Sequence, residues 1–195
     1  MRAVNKPKPE TKSRNVVRII GGTWRGRRVG FPDTPGLRPT PDRVRETLFN
    51  WLQEHVAGSR CLDLFAGSGA LGLEALSRGA REVVFVEQVQ MAARGLQVEL
   101  QRLGGTPRGR VMELGAARYL RTPGEPFDVV FLDPPFGQDA LAEYVPLLAA
   151  SACVRPGTLV YLENERSAGA PVLPPPWELL KSKSAGEVGY HLARV

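Results

Sequence analysis

The sequence is poor in the residues that form disulfides and metal sites, and it has no long apolar run. Its 195 residues include 2 cysteines and 2 histidines. Cys61 and Cys153 lie among apolar neighbours, which predicts buried thiols, and His55 and His191 lack the spacing of metal ligands. No apolar stretch reaches the roughly 18 residues of a membrane span, and the N-terminus lacks the apolar segment of a secretory signal. We therefore expect a cytoplasmic protein without a metal ion, large enough to fold around its own core.

Acidic residues are scarce in the first quarter of the chain. Residues 1–45 contain 12 Lys and Arg against 3 acids, which gives a net charge of +9. The rest of the chain has a net charge of −3, so the whole chain has +6. Such a cluster favours a polyanionic partner, because neutralised phosphates release condensed counterions. A solvated basic tail is the alternative. Residues 1–15 have almost no apolar content, and we expect a flexible basic tail there.

Two short β runs, at residues 16–20 and 27–31, flank a glycine-rich turn. They predict a small hairpin that occupies residues 16–39 together with the proline-broken loop after it. Trp24 in the turn would either stack on a nucleic-acid base or pack the hairpin onto the domain. Thr40 and Pro41 are the expected N-cap and first residue of a helix at residues 41–56. The candidate nucleic-acid ligands are Arg18, Trp24, Arg25, Arg27, Arg28, Arg38 and Arg43. Arg38, Arg43 and Arg45 cluster at the start of the predicted helix, where they would equally suit an anionic cofactor group or simply cover the helix surface.

From residue 60 onward, apolar runs of strand length alternate with helical patterns. This alternation predicts a mostly parallel sheet with helices on both faces. The last two β-like runs, at residues 177–184 and 188–195, suit an antiparallel hairpin at the sheet edge. We expect residues 40–195 to form one α/β domain.

A short polar motif, Asp133-Pro134-Pro135-Phe136, follows the apolar run at residues 127–132. It supplies a carboxylate, a backbone without N–H donors and an aromatic ring, which together suit chemistry on a flat amino group. The lone pair of such a nitrogen is delocalised. The Asp133 carboxylate and the Pro134 carbonyl can accept its two N–H groups and turn the lone pair toward an electrophile, while Phe136 stacks on the ring.

A glycine turn after the first parallel strand predicts a nucleoside site at the end of that strand. Gly67, Gly69 and Gly72 fit the pattern G-x-G-x-x-G, which alone also fits a nicotinamide enzyme or a structural turn. Asp63 repels pyrophosphate but suits the ammonium and sulfonium groups of S-adenosylmethionine. Glu87, which ends the next apolar run, can accept hydrogen bonds from both hydroxyls of a ribose.

These motifs resemble the Rossmann-like methyltransferases that modify exocyclic amines, and more closely the RsmD family. The resemblance rests on the glycine turn, the Asp-Pro-Pro-aromatic motif and the blocks at residues 18–26, 38–50 and 64–69. It implies a class I methyltransferase fold with a seven-stranded sheet, and S-adenosylmethionine as cofactor. It also implies methylation of N2 of one guanine in small-subunit (16S) ribosomal RNA, by a monomer that acts on the small ribosomal subunit or an assembly intermediate.

The resemblance assigns roles to residues that match the family motifs. Asp133, Pro134, Pro135 and Phe136 would hold the guanine. The residues expected to contact the cofactor are Asp63, Phe65, Ala66, Gly67, Ser68, Gly69, Gly72, Glu87, Gln88 and Ala116.

One position departs from the family pattern. Family members commonly carry Asp or Asn before Ala116, where it bonds the adenine amino group, and this chain has Gly115. Adenine recognition is then left to backbone groups, to Gln88 or to Glu113.

Other functions fit parts of the pattern. The Asp-Pro-Pro-aromatic motif also occurs in N-methyltransferases that act on DNA or protein amides, and the basic hairpin fits a non-catalytic RNA-binding protein. A nicotinamide oxidoreductase has no use for the motif. Methyl transfer requires the loop after residue 132 to open into the same cleft as the glycine turn.

Overall fold

The computed structural model describes residues 15–33, 40–135 and 140–195. The tail predicted for residues 1–15 lies outside the described residues, apart from Asn15. Arg38 and Phe136 also lie outside them.

The described residues form nine strands and five α-helices. The strands are β1 (Asn15–Arg18), β2 (Arg28–Phe31), β3 (Arg60–Asp63), β4 (Glu82–Glu87), β5 (Gly109–Glu113), β6 (Val129–Leu132), β7 (Leu159–Glu165), β8 (Glu178–Ala185) and β9 (Val188–Arg194). The helices are α1 (Asp42–Trp51), α2 (Ala70–Ser77), α3 (Gln90–Arg102), α4 (Ala116–Tyr119) and α5 (Ala140–Ala149). None of these helices has the length and apolar character needed to cross a bilayer.

Seven strands form one sheet in the order β5-β4-β3-β6-β7-β9-β8. β3 to β7 pair in parallel, and β9 pairs antiparallel with both β7 and β8. This confirms the predicted parallel sheet with an antiparallel C-terminal hairpin. The strand order reverses between β3 and β6, which is where open α/β sheets bind ligands.

Helices cover both faces of the sheet, as the alternation predicts. One core cluster joins apolar residues of α1, α2 and α3 to one face, and a second joins those of α4 and α5 to the other. The cysteines are free and buried.

The hairpin of β1 and β2 docks on α2 through a buried glutamate. The carboxylate of Glu74, fully buried, accepts the backbone N–H groups of Ile20 at 2.8 Å and Gly21 at 2.7 Å. Arg78 forms an ion pair with it at 2.7 Å, and the Nη1 atom of Arg45 lies 3.7 Å away. The hairpin therefore shares the core of the main sheet.

The helix after the hairpin differs from its prediction at both ends. Helix α1 begins at Asp42 and ends at Trp51, and Pro41 occupies the N-cap position without a side-chain cap. Thr40 is not the N-cap, because its hydroxyl donates to the carboxylate of Asp133 instead. Beyond Trp51 the chain continues in turns, and the burial of Val56 comes from those turns rather than from a longer helix.

Candidate active site

Three acidic side chains lie together at the carboxyl ends of the central strands. Asp63 ends β3, Glu87 ends β4 and Asp133 directly follows β6. The register pairs Asp63 with Phe85 on one side and with Phe131 on the other. Because side chains alternate along a strand, all three acids point to the same face of the sheet. The glycine turn and the Asp133 loop therefore open at the same place, which is the arrangement that methyl transfer requires.

The glycine turn between β3 and α2 requires residues without a side chain. Gly67 and Gly69 have φ angles of +51° and +76°, in the left-handed region that L residues rarely adopt. A Cβ atom on Gly69 would overlap the side chain of Leu96. The backbone N–H of Ala66 donates to the carbonyl of Val86 at 2.9 Å, which fixes the turn against β4.

The third glycine of the motif serves packing between helix and sheet. A Cβ atom on Gly72 would overlap the ring of Phe85, so only glycine lets α2 approach the sheet this closely. The N–H of Gly72 donates to Oδ2 of Asp63 at 2.9 Å. Burial, and to a smaller extent the carboxylates of Asp133 and Glu87, raise the pKa of Asp63 to about 7, while the Gly72 bond lowers it.

Glu87 ties the glycine turn to the loop before α3. Its Oε2 atom accepts the N–H of Gly67 at 2.8 Å and its Oε1 atom accepts that of Val89 at 2.7 Å. Each carboxylate oxygen has a further lone pair. The half-buried side chain can therefore also accept hydroxyl groups.

The remaining residues expected to contact the cofactor lie around this turn. Ala66, Ser68 and Ala116 are buried. Phe65 is half-buried and meets the ring of Tyr144 edge to face, with 4.9 Å between the ring centroids.

Gln88 lies next to the position where a side chain at residue 115 would begin. A Cβ atom on Gly115 would lie 3.5 Å from Oε1 of Gln88. Glu113 instead accepts a hydrogen bond from Gln90 at 3.0 Å. Of the two side chains proposed to replace the usual Asp or Asn, Gln88 is the one next to the vacated position.

Asp133 is half-buried and bonded to a residue that comes 93 positions earlier in the chain. The hydroxyl of Thr40 donates to its Oδ2 atom at 3.1 Å. Burial raises the pKa of Asp133 to about 7, against the lowering effect of the Thr40 bond. Pro134 is buried and Pro135 is exposed.

Two further residues near Asp133, Glu163 and Thr40, belong to no motif of the site, and the sequence did not predict them as site residues. Glu163 on β7 is 3% exposed, and the hydroxyl of Tyr161 donates to its Oε2 atom at 2.6 Å. Thr40 was noticed in the sequence only as a helix cap. The signal that could have found Glu163 is an acid that follows the apolar run of a central strand.

The arginines expected to bind nucleic acid are exposed wherever the structure describes them, and they are Arg18, Arg25, Arg27, Arg28 and Arg43. Arg18 forms an ion pair with Asp42 at 3.4 Å. Since Asp42 begins α1 and Thr40 just before it contacts Asp133, the hairpin adjoins the loop that would hold the substrate.

Trp24 does not have the role of a stacking platform, and we correct that prediction. Its side chain is 8% exposed and belongs to the main core. A Cβ atom on Gly105 would lie 2.9 Å from the Trp24 ring, and the Arg108 guanidinium lies 5.9 Å from the ring centroid. The alternative, that Trp24 packs the hairpin onto the domain, is correct. Burial of such a large aromatic ring stabilises this packing.

The family model described as conserved hypothetical protein 95 matches residues 17–194. The ribosomal RNA small subunit methyltransferase D of Escherichia coli is 45% identical over 185 residues, which are 95% of this chain and 93% of that protein.

Solved structures agree with the sequence comparison. The structure of yhhF from Escherichia coli has a TM-score of 0.86 and 42% identity, and the match covers 92% of this chain and 98% of that one. The Thermus thermophilus 16S rRNA N2 G1207 methyltransferase RsmC, solved with AdoMet and guanosine, has a TM-score of 0.68 and 25% identity. That match covers 97% of this chain and 52% of the RsmC chain.

Proposed function

Since the chain belongs to the family described as conserved hypothetical protein 95, we propose that it methylates the exocyclic N2 amine of a guanine in 16S ribosomal RNA, with S-adenosylmethionine as methyl donor. The relatives named ribosomal RNA small subunit methyltransferase D support the RNA substrate. The RsmC structure, which holds AdoMet and guanosine, supports the donor and the N2 position.

The observation that carries the proposal is the position of Asp133 relative to the glycine turn. Asp133 and Asp63 follow adjacent strands and share one face of the sheet. A donor held over the glycine turn would therefore lie next to a base held by the Asp133 loop. A purely RNA-binding protein does not need this arrangement.

The residues at the glycine turn fit S-adenosylmethionine. This donor supplies a methyl group activated by a sulfonium centre. Asp63 is a buried carboxyl without a salt bridge among the described residues, so a cationic group would stabilise its charged form. Glu87 would accept the ribose hydroxyls, and Gln88, beside Gly115, would accept the adenine amino group.

The Asp133 loop would prepare the amine for attack. The Asp133 carboxylate and the Pro134 carbonyl accept its two N–H groups and direct the lone pair toward the methyl carbon. The hydroxyl of Thr40 donates to the carboxylate and would help to orient it. Catalysis would consist mainly of orientation and electrostatics, and orientation alone can contribute about 7–11 kcal/mol.

Substrate binding would use the exposed arginines of the hairpin and of α1. A short basic hairpin without a separate RNA-binding module favours a preformed ribonucleoprotein surface, such as the small ribosomal subunit or an assembly intermediate. We propose that the protein acts there as a cytoplasmic monomer.

Nucleoside analysis tests the proposal. The protein is incubated with labelled S-adenosylmethionine and with naked 16S rRNA, small ribosomal subunits that lack the modification, or DNA. We expect label in N2-methylguanosine from the ribosomal substrates and none in DNA. Label in another nucleoside or in protein, or no transfer to any substrate, would overturn the proposal.

A further inference from the structure

A buried glutamate lies beside the Asp133 loop and has no part in the function proposed above. β6 and β7 pair in parallel as far as Leu132 and Leu162. The residues that follow in the two strands are Asp133 and Glu163. Because side chains alternate along a strand, both point to the same face of the sheet as Tyr161. Neighbouring strands are about 4.8 Å apart, so the two carboxyl groups are close neighbours.

The two carboxyl groups differ in burial. Glu163 is 3% exposed, whereas Asp133 is half-buried at the edge of the cleft. Each accepts one hydroxyl, from Tyr161 and Thr40 respectively. Burial, and after it the charge of Asp133, raise the pKa of Glu163 to about 8. Two adjacent carboxyl groups of this kind do not both ionise near neutral pH.

The other ionisable groups around the pair do not supply a positive charge. Asp63 on β3 is itself an acid, and Tyr190 on β9 is the buried register partner of Glu163. The guanidinium of Arg45, on α1, bonds the carbonyls of Thr40 and Arg18 and the carboxylate of Asp42. Among the described residues, no cation forms a salt bridge with either member of the pair.

We propose that Glu163 is a positioning residue that holds a proton beside Asp133 at neutral pH, so that Asp133 is the single carboxylate facing the target amine. This inference rests on the proposed methyl transfer. As the amine nitrogen bonds to the methyl carbon, the electron pair of the carbon–sulfur bond stays on sulfur and one N–H proton passes to Asp133. Neutral Glu163 lets Asp133 keep its charge until that moment, because no second charge lies beside it.

Infrared difference spectroscopy of the protein without substrate tests the protonation directly. An unionised carboxylic acid has a carbonyl stretch that a carboxylate lacks. Subtracting the spectrum of Glu163→Gln from that of the wild type at neutral pH should leave one such band, which should disappear as the pH is raised beyond about 8. Glu178→Gln, an exposed residue at the opposite end of the sheet, is the matched control and should leave no band. Absence of the band from the Glu163 difference spectrum would overturn the inference.

Methyl transfer by the same variants tests the positioning role. The amide side chain introduced by Glu163→Gln stays neutral and still accepts the Tyr161 hydroxyl. This variant should therefore retain activity at neutral pH within about 10-fold of wild type, whereas Asp133→Ala should lose about 100-fold or more. The pH profile of Glu163→Gln should lack the ionisation above neutrality that the wild type has. A loss as large as that of Asp133→Ala, or an unchanged pH profile, would overturn the inference. Failure of the wild type to methylate ribosomal RNA would overturn the proposed function instead.

Discussion

Asp63 is a buried acid that forms no salt bridge with any residue the structure describes. Its only hydrogen bond among the described residues comes from the backbone of Gly72. Burial without a cation disfavours the charged form, which is why the pKa of Asp63 rises to about 7. A bound ammonium or sulfonium group would reverse this effect. Under the proposed function, Asp63 would therefore favour a cationic ligand.

The affinity for S-adenosylmethionine is expected to depend on pH through Asp63. Below about pH 7 the carboxyl is mostly protonated and neutral, and above it the carboxylate attracts the cation, so binding should tighten as the pH rises. Asp63→Asn keeps an acceptor for the Gly72 N–H but never carries the charge. Calorimetric titrations on either side of this pH should give weaker and less pH-dependent binding for the variant. An equally steep pH dependence in both proteins would contradict the role of Asp63.

Sequence reasoning found the residues that follow their own local pattern. Glu87 and Asp133 each follow an apolar run in the sequence, and Asp63 lies in the run at residues 61–65 that leads into the glycine turn, so their positions could be predicted. The bond from Thr40 to Asp133 could not, because it joins segments 93 residues apart. Glu163 also follows an apolar run, at residues 158–162, but its closeness to Asp133 depends on the pairing of β7 with β6, which the sequence does not show.

At the scale of elements, helix α2 anchors the N-terminal hairpin through Glu74 and Ser77. Glu74 on α2 binds the backbone of Ile20 and Gly21 and the side chain of Arg78. The turn at Gly22 lies directly on the backbone of Ser77, which leaves no room for a side chain at position 22. The glycine pair in the predicted hairpin turn is thus also a docking contact. Burial of Trp24 depends on the same docking, so the sequence alone could not decide between its two roles.

Replacing Glu74 should destabilise the protein and loosen the hairpin. Removing one member of a buried, hydrogen-bonded ion pair costs about 3–5 kcal/mol, because its partners remain buried without a bond. Urea denaturation of Glu74→Gln should show a loss of this order, and hydrogen exchange should show faster exchange at Ile20 and Gly21. Glu46→Gln on the exposed side of α1 is the matched control, with little change expected. Equal stability of the two variants would contradict the anchoring role.

At the scale of the whole molecule, exposed positive charge collects on the hairpin. Arg25, Arg27 and Arg28 are exposed, and Arg18 forms an ion pair with Asp42, the first residue of α1. Thr40, two residues before Asp42, contacts Asp133. The remainder of the chain beyond residue 45 has a net charge of −3. This asymmetry would orient an RNA with its phosphates on the hairpin and a base toward the cleft.

The salt dependence of RNA binding should report on these arginines. Each phosphate contact that is lost lowers the slope of log affinity against log salt by about 0.7–0.9. The double variant Arg25→Gln/Arg27→Gln should therefore bind small-subunit RNA more weakly and with a flatter slope, while affinity for S-adenosylmethionine is unchanged. Arg118→Gln/Arg121→Gln removes the same charge from exposed positions at α4, on the opposite face of the sheet. Equal slopes for the two double variants would contradict an RNA-binding role for the hairpin.

The central claim is that the Asp133 loop holds the amine that receives the methyl group. The most direct measurement compares wild type with Asp133→Ala by calorimetric titration of S-adenosylmethionine and by mass-spectrometric quantification of N2-methylguanosine in small-subunit RNA. We predict that the variant folds and binds the cofactor as the wild type does, yet forms the product about 100-fold more slowly or worse. Undiminished formation of N2-methylguanosine by Asp133→Ala would contradict the claim.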